Sequence, residues 1–383
     1  MNKTLSLAAI LCLGIGLILL PHPALAEDVI YPGKALQPSP LGFANALFPG
    51  TTANPGLSGN SVTVNGDVPG FVFGGVSDGA DNVTNNRVVI NSGTMDWDVY
   101  GGWSTNGNAT GNNVTLNGGR VIQDVYGGYS DQGNATGNSV TINGGTVDMR
   151  VIGGFSDQGN AMYNTVTISG GIVNGDVQGG YSGLGDATYN TVTISGSPTF
   201  GVGTTLYGGA GGGDPFTGNT LNVWNYTGSA VNGVDNFQFF NFVLPASLQG
   251  LEVTGAVGWI APGPSTVTGV SIMGGGRVPQ IGEKITLIHA AAPGFNWPIA
   301  NNGAILAGKK GATLDVLFRL ELQPPWNDLY AVVEGAQAAP EAKALSEGFL
   351  TGLALVNQGA DLVAGKGITD ATNAAKKSVA KEL

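Results

Sequence analysis

Apolar and polar residues alternate in short runs along most of the chain, and the runs return at a fixed interval. Triplets such as Val114–Leu116, Val140–Ile142 and Val166–Ile168 have the two-residue period of a half-buried β-strand. An Asn precedes each run at a 26-residue spacing, with a last interval of 29, at Asn60, Asn86, Asn112, Asn138, Asn164, Asn190 and Asn219. This regularity predicts an architecture of stacked structural repeats.

The second half of each unit carries a diglycine with aromatic neighbours and another alternating run. The run Val121–Tyr126 has counterparts at Val147–Ile152 and Val173–Gln178. The diglycines are Gly74–Gly75, Gly101–Gly102, Gly127–Gly128, Gly153–Gly154, Gly179–Gly180 and Gly208–Gly209. We therefore interpret one unit as a strand, a Gly-Gly corner, a second strand and a loop.

A unit of two short strands cannot bury its own apolar face, whereas stacked copies bury one continuous column of Val and Ile. The sequence thus predicts an all-β fold, a parallel β-solenoid (β-helix) of about seven 26-residue rungs. Equal positions would stack, so we expect an Asn amide ladder and Tyr100 above Tyr126. A second aromatic file would contain Trp103, Tyr129, Phe155 and Tyr181. Gly and Asn interrupt every unit too often for helical repeats.

The beginning of the chain has the three-part layout of a secretory signal peptide. Lys3 precedes the uncharged run Leu5–Leu20, and Ala24-Leu25-Ala26 forms a small-residue cleavage site. We expect residues 1–26 to be removed after Ala26, and Cys12 with them. The remaining chain has 14 Lys and Arg against 26 Asp and Glu, a net charge of 14 − 26 = −12. Because phosphate recognition needs a basic patch, nucleic-acid binding is disfavoured.

Composition divides the rest of the chain into four parts. Residues 27–59 are Pro-rich and suit an N-terminal cap over the first open rung. The solenoid repeats occupy residues 60–229, and residues 230–335 are predicted to form a β-rich C-terminal cap. In residues 336–383, Pro340 opens a predicted linker helix that is followed by a basic tail.

The segment 341–365, EAKALSEGFLTGLALVNQGADLVAG, is the most specific motif in the chain. Together with the signal peptide, the cysteine-free solenoid and the β cap, it resembles the passenger and linker of a type V autotransporter from a Gram-negative bacterium. The resemblance implies that the linker helix threads an outer-membrane translocator barrel and that residues 236–335 seed folding outside the cell. It also implies a protein at the cell surface, in the outer membrane or released into the medium.

The chain departs from that family at its end. A transmembrane strand needs about nine to eleven alternating residues, and no such run follows Gly367. We expect the barrel to be absent from this chain, so that the protein is periplasmic if no barrel is supplied. A separately encoded barrel and a truncated gene both remain open.

Residues with potential chemistry are few, and most have simpler explanations. His289 is the single His after the signal peptide and lies in a strand-like run, which disfavours a Ser–His triad. The carboxylates of Asp98, Asp124 and Asp176 occupy equivalent positions, as glycoside hydrolysis would require, but Arg150 interrupts their column. The loop aspartates Asp78, Asp131 and Asp157 recur in register, as a metal-binding file would require, but ordinary turns explain them.

The aromatic file Trp103, Tyr129, Phe155 and Tyr181 is the candidate ligand surface, because regularly spaced rings suit sugar stacking or contact with a partner. Internal packing of the same rings is the equal alternative. We predict a structural or adhesive surface protein that is not an enzyme and has no cofactor or metal, with a glycan or host-surface ligand as candidate partner. The alternatives are a carbohydrate-active β-helix with a carboxylate cluster and a non-functional autotransporter remnant.

Overall fold

The computed structural model describes residues 26–257, 263–292, 298–323, 328–340, 342–343, 367–374 and 376–377. The predicted signal peptide, apart from Ala26, and most of the predicted linker segment lie outside these residues. Residues 340, 342–343, 367–374 and 376–377 are helical, so the predicted helical start at Pro340 is confirmed. In the described part of the chain, no helix has the length and apolar character needed to cross a membrane.

The N-terminal segment begins with a strand that belongs to the solenoid itself. Its strands are β1 (Asp28–Tyr31), β2 (Ala46–Leu47), β3 (Gly50–Thr51) and β4 (Asn54–Pro55). β3 and β4 form a small antiparallel hairpin. Val29 of β1 and Leu47 of β2 are buried against the first rung, whereas Ile30 of β1 is exposed.

The repeat region consists of short strands that alternate in a fixed order. They are β5 (Ser61–Asn65), β6 (Phe71–Phe73), β7 (Val76–Ser77), β8 (Val83–Thr84), β9 (Arg87–Ser92), β10 (Thr94–Met95), β11 (Val99–Tyr100), β12 (Trp103–Ser104), β13 (Ala109–Thr110), β14 (Asn113–Leu116), β15 (Arg120–Val121), β16 (Val125–Ser130), β17 (Ala135–Thr136), β18 (Ser139–Ile142), β19 (Thr146–Val147), β20 (Val151–Ser156), β21 (Ala161–Met162), β22 (Thr165–Ile168), β23 (Ile172–Val173), β24 (Val177–Ser182), β25 (Thr191–Gly196), β26 (Thr199–Phe200), β27 (Thr205–Gly211) and β28 (Thr220–Tyr226).

The C-terminal region continues the solenoid and then changes to antiparallel pairing. Its strands are β29 (Gly233–Asp235), β30 (Phe239–Leu244), β31 (Leu251–Val253), β32 (Thr266–Ile272), β33 (Lys284–Ala290), β34 (Ile305–Lys310), β35 (Leu314–Gln323) and β36 (Asp328–Ala338). β28, β30 and β32 pair in parallel, whereas β34, β35, β36 and β33 pair antiparallel. The predicted strand at 284–290 is confirmed to the residue as β33.

Stacking of the repeats produces sheets in which equal strands of successive turns pair in parallel. The long sheet has the order β1-β5-β9-β14-β18-β22-β25-β28-β30-β32-β34-β35-β36-β33-β31, and the aromatic sheet has β2-β6-β11-β16-β20-β24-β27-β29 as its path. A five-stranded sheet, β10-β15-β19-β23-β26, and a four-stranded sheet, β21-β17-β13-β8, complete the coils. The predicted solenoid is confirmed, and the stack extends past the seven Asn repeats on both sides, to about nine turns in all.

The core is a column of stacked Val, Ile and Leu side chains, as the alternation predicts. In β18 the burial alternates, with Val140 and Ile142 fully buried and Ser139 and Thr141 half-buried on the outer face. The neighbouring rungs place Val114 and Val166 directly below and above Val140. A single rung could not exclude water from these side chains, so each turn depends on its neighbours for its apolar burial.

The predicted Gly-Gly corner is wrong for four of the six diglycines, which lie inside strands, whereas Gly74–Gly75 and Gly101–Gly102 lie between two short strands of one sheet. Gly127 and Gly128 lie inside β16, and the corner falls between β15 and β16, which divides the predicted continuous strand Val121–Tyr126. The reason is steric. A Cβ added to Gly128 would lie 2.3 Å from the Cγ atom of Asn138, so Gly128 makes room for a buried amide, and a Cβ added to Gly127 would lie 2.3 Å from the backbone carbonyl oxygen of Gly153.

Candidate functional site

The predicted Asn ladder is confirmed and forms a buried polar column along the rod. The Oδ1 atom of Asn138 accepts hydrogen bonds from the backbone N of Asn112 at 2.9 Å and from its Nδ2 at 3.1 Å. The Nδ2 atom of Asn138 donates to the carbonyl of Ala109 at 2.9 Å and to Oδ1 of Asn164 at 3.1 Å. Since all seven ladder residues are buried, the column holds the turns in register and is not accessible to a ligand.

A second polar column, of serines, aligns the loops and was missed by sequence reasoning. Ser130 Oγ accepts a hydrogen bond from Gly133 N at 2.8 Å and donates to Gly107 O of the preceding turn at 2.8 Å. Equivalent buried serines are Ser77, Ser104, Ser156 and Ser182. Their recurrence at intervals of 26 or 27 residues was visible in the sequence, but a Ser in a polar loop gives no sign of burial.

The predicted aromatic files exist, and they belong to a hydrophobic cluster outside the main core. Tyr100 and Tyr126 stack with ring centroids 4.9 Å apart at an interplanar angle of 3°. In the second file the successive centroids are 4.4, 4.6 and 4.7 Å apart along Trp103, Tyr129, Phe155 and Tyr181. Their ring faces contact one another, and the edges of Trp103, Tyr129 and Tyr181 reach partial exposure. A ligand role for this file stays a prediction.

The structure brings the carboxylates of Asp98 and Asp124 next to each other, with Arg150 on the following rung. Asp98 accepts hydrogen bonds from Asp124 N at 2.9 Å and from the Tyr100 hydroxyl at 3.0 Å. Asp124 forms an ion pair with Arg150 at 2.6 Å. Burial raises the pKa of Asp98, and the neighbouring Asp124 charge adds to that effect. The column therefore works as a chain of hydrogen bonds along the aromatic sheet.

The loop aspartates differ in their surroundings. Asp131 accepts a hydrogen bond from Trp103 Nε1 at 3.4 Å. Burial raises the pKa of Tyr129, and the nearby charges of Asp157 and Asp131 add to that effect. Burial raises the pKa of Asp131. Within the described ranges, no three His, Cys, Asp or Glu side chains are grouped so as to hold a metal ion.

His289 lies at the junction of two antiparallel strands in the C-terminal region. It pairs across β33 and β36 with Asp328, and the His289 Nδ1 and Asp328 Oδ1 atoms are 2.5 Å apart. Asp328 also accepts a hydrogen bond from the Tyr330 hydroxyl at 2.6 Å. The hydrogen bond to Asp328 raises the pKa of His289 above its usual value of 6.5.

We predict that this pair makes stability depend on pH near neutrality. A folded-state pKa above the unfolded value contributes stability that is fully present below pH 6.5 and is lost as the pH rises through the folded pKa. An NMR titration of the His289 ring should give a pKa above 6.5 in the native protein and a value near 6.5 in Asp328→Asn. A native pKa at or below 6.5 would contradict the pairing.

Three exposed aromatic residues on the long-sheet side were also missed by the sequence reasoning. Tyr163 and Tyr189 occupy the corner just before β22 and β25, and Trp224 projects from the outer face of β28. The signal of Tyr163 and Tyr189 in the sequence was a substitution at one repeat position, where the two preceding rungs have Gly111 and Gly137, and Trp224 replaces the Ser195 of the preceding rung.

Comparison of the chain with family models, with curated proteins and with solved structures gives no match. The structure alone therefore defines the class of fold, which is a parallel β-solenoid of stacked coils.

Proposed function

We propose that this protein is the passenger region of an autotransporter-type surface protein that acts without catalysis, through the repetitive outer faces of its rod. The observation that carries this proposal is the uninterrupted parallel stacking of about nine turns, held by a buried Asn ladder. Such a rod offers long, regular outer surfaces, and each turn can add to its predecessor as the chain emerges from a pore. The linker segment 341–365 supports the same family.

The local chemistry supports a non-catalytic role. The carboxylate of Asp124 is occupied by Arg150 and by the Tyr126 hydroxyl, at 2.6 and 2.8 Å. A general base or nucleophile would need a free lone pair directed at substrate. The partner of the linker would be a translocator barrel, and the location would be the cell surface or the medium, or the periplasm where no barrel is supplied.

The export part of the proposal is tested in a Gram-negative host. We expect the full chain to be exported and cut after Ala26, so that mass spectrometry gives Glu27 as the mature N-terminus. With an autotransporter barrel fused in frame after Leu383, we expect protease-accessible protein on intact cells. A variant without residues 1–26 is the control and should stay in the cytoplasm. A fused barrel that inserts while the rod remains periplasmic would contradict the passenger assignment.

One observation favours a carbohydrate-active enzyme as the second candidate, namely the raised pKa of Asp98 beside a second carboxylate. A raised pKa is a property of general acids in glycoside hydrolysis. Under this alternative, the protein should cleave a polysaccharide, and Asp98→Asn and Asp124→Asn should each abolish the turnover. Under our proposal, a panel of polysaccharides is left uncut by the native protein and by both variants. A barrel-coding frame in the DNA after Leu383 would argue against a gene remnant.

A further inference from the structure

The outer face of the long sheet has a cavity beside an exposed tryptophan. Trp224 in β28 is 54% exposed and lies opposite Ser195 of β25, where the pairing contains a bulge between Ser195 and Gly196. The cavity next to the indole has a volume of about 310 Å³ and is lined by Ser169, Thr193, Ser195, Gly196, Trp224 and Asn225. One wall is therefore a flat aromatic ring, and the others supply three hydroxyl groups.

A pair of strained tyrosines lies at the other end of the same strands. Tyr163 and Tyr189 have φ angles of 58° and 57°, in the left-handed region. Their rings stack with centroids 5.2 Å apart at 17°, and they are 57% and 47% exposed. For a residue with a Cβ this conformation costs about 1 kcal/mol or more. Other rungs have Gly111, Gly137 and Gly218 at this position, so the turn does not require a side chain.

One ring face of this pair is open. A Cβ added to Gly218 would lie 2.3 Å from the Tyr189 ring, so Tyr189 covers the following rung. On the opposite side, a Cβ added to Gly137 would have nothing within 4 Å, and Gly137 is the residue on the rung before Tyr163. The stack therefore ends in free space on the Tyr163 side, where a further flat group could extend it.

The strand between the two aromatic sites is polar and uncharged. The outer positions of β25 are Thr191, Thr193 and Ser195, which span about 13 Å at the usual rise per residue. Across β14, β18, β22, β25, β28 and β30, no outward position has an ionisable side chain. An anionic polymer would find no cation on the outer positions of these six strands, and the nearest one in the sheet is Arg87 on β9, beyond β14, whereas a neutral polyhydroxylated ligand needs none.

We propose that the outer face of β22, β25 and β28 binds a neutral polysaccharide. The apolar C–H face of a sugar ring would pack on Trp224 and on the open face of Tyr163, because the π-face of an aromatic ring carries negative potential. Thr193 and Ser195 would exchange hydrogen bonds with the sugar hydroxyls, since each hydroxyl donates and accepts. This site lies on a different sheet from the file that contains Trp103. The inference goes beyond the proposed function, and it holds whichever route exports the protein.

The test measures binding of the purified protein to laminarin, pullulan, galactomannan and arabinoxylan, and to alginate and heparin as anionic probes, by affinity electrophoresis and calorimetry. We expect at least one neutral polysaccharide to bind and both anionic ones to fail. Trp224→Ala and the double variant Tyr163→Gly, Tyr189→Gly should each weaken binding at least tenfold. Trp97→Ala is the matched control, because Trp97 is 50% exposed elsewhere and should leave affinity unchanged.

The tyrosine variant separates binding from folding. Gly adopts the left-handed conformation without a steric penalty. The unfolding temperature of the double Gly variant should therefore equal or exceed that of the native protein, although its affinity for the polysaccharide falls. The proposal is overturned if no neutral polysaccharide binds, if only an anionic one binds, or if both aromatic variants keep full affinity. It also fails if the protein binds no polysaccharide and Trp224→Ala instead converts a dimer to a monomer, since the face would then be a contact between copies.

Discussion

Asn138→Ala should lower the free energy of unfolding by about 4 kcal/mol. The Asn138 side chain makes four hydrogen bonds, two as acceptor from Asn112 and two as donor to Ala109 and Asn164. Each contributes about 1 kcal/mol net, and a buried N–H left without its acceptor costs further. The backbone N–H of Asn112 loses the side-chain acceptor that lies 2.9 Å away. Urea denaturation followed by circular dichroism gives the free energy of unfolding.

The matched control for this prediction is Asn143→Ala, in an exposed ladder on the outside of the same rungs. Asn143 Nδ2 donates to Asn117 Oδ1 at 3.0 Å, but solvent reaches both groups. Water replaces the lost partner, so the expected change is below about 0.5 kcal/mol. Equal effects of Asn138→Ala and Asn143→Ala would show that the buried ladder does not hold the turns together.

Much of this fold could be predicted because repetition makes one rung informative about all others. The spacing of Asn112, Asn138 and Asn164 gave both the period and the position of the amide column. The stacking of Tyr100 on Tyr126 followed from the same register. Both features follow once equal positions lie above one another, and the backbone pairing satisfies that condition.

The errors arose where local sequence preference competes with a contact between distant residues. Gly127–Gly128 was predicted to form a corner because Gly favours turns. Yet Gly128 is required by the side chain of Asn138, ten residues further on, and Gly127 by the close approach of the Gly153 backbone on the next rung. The burial of Ser130 depends on Gly107 of the previous turn. Local sequence does not contain such contacts, so they become visible only when the coils are superimposed in space.

The candidate site was less predictable than the fold. The file with Trp103 follows the repeat and was therefore found. Tyr163, Tyr189 and Trp224 replace smaller residues at their repeat positions, and they were not predicted as a candidate site. A residue that differs from its equivalents in the other rungs is not explained by the needs of the repeat fold, so it is a candidate for function. The rungs with Gly at the Tyr163 position show that the turn folds without a side chain. The tyrosines at the same position have exposed rings and a strained backbone, which folding does not require.

Gly128→Ala should lower the free energy of unfolding by about 5 kcal/mol, which is more than the expected effect of Asn138→Ala, because it both displaces the Asn138 amide and overpacks the site. The added Cβ would lie 2.3 Å from Cγ, 2.4 Å from Oδ1 and 2.5 Å from Nδ2 of Asn138. β16 is paired in parallel with β11 and with β20, so its backbone has no free direction in which to move. The amide must move, which breaks its hydrogen bonds, and overpacking adds about 1–3 kcal/mol. The free energy of unfolding is again measured by urea denaturation.

A double-mutant cycle shows whether the clash with Asn138 is the cause. In Gly128→Ala combined with Asn138→Ala, the new methyl group occupies space that the amide has left, so the overpacking cost disappears. The hydrogen bonds of the Asn138 amide, which each single variant breaks, are lost only once. The double variant should therefore be more stable than the sum of the two single effects predicts, by at least about 2 kcal/mol. Gly203→Ala is the control, because a Cβ at Gly203 would have nothing within 4 Å and its backbone is not left-handed. Additive effects of Gly128→Ala and Asn138→Ala would mean that the diglycine serves the strand backbone, and that the amide column and the aromatic sheet are independent of each other.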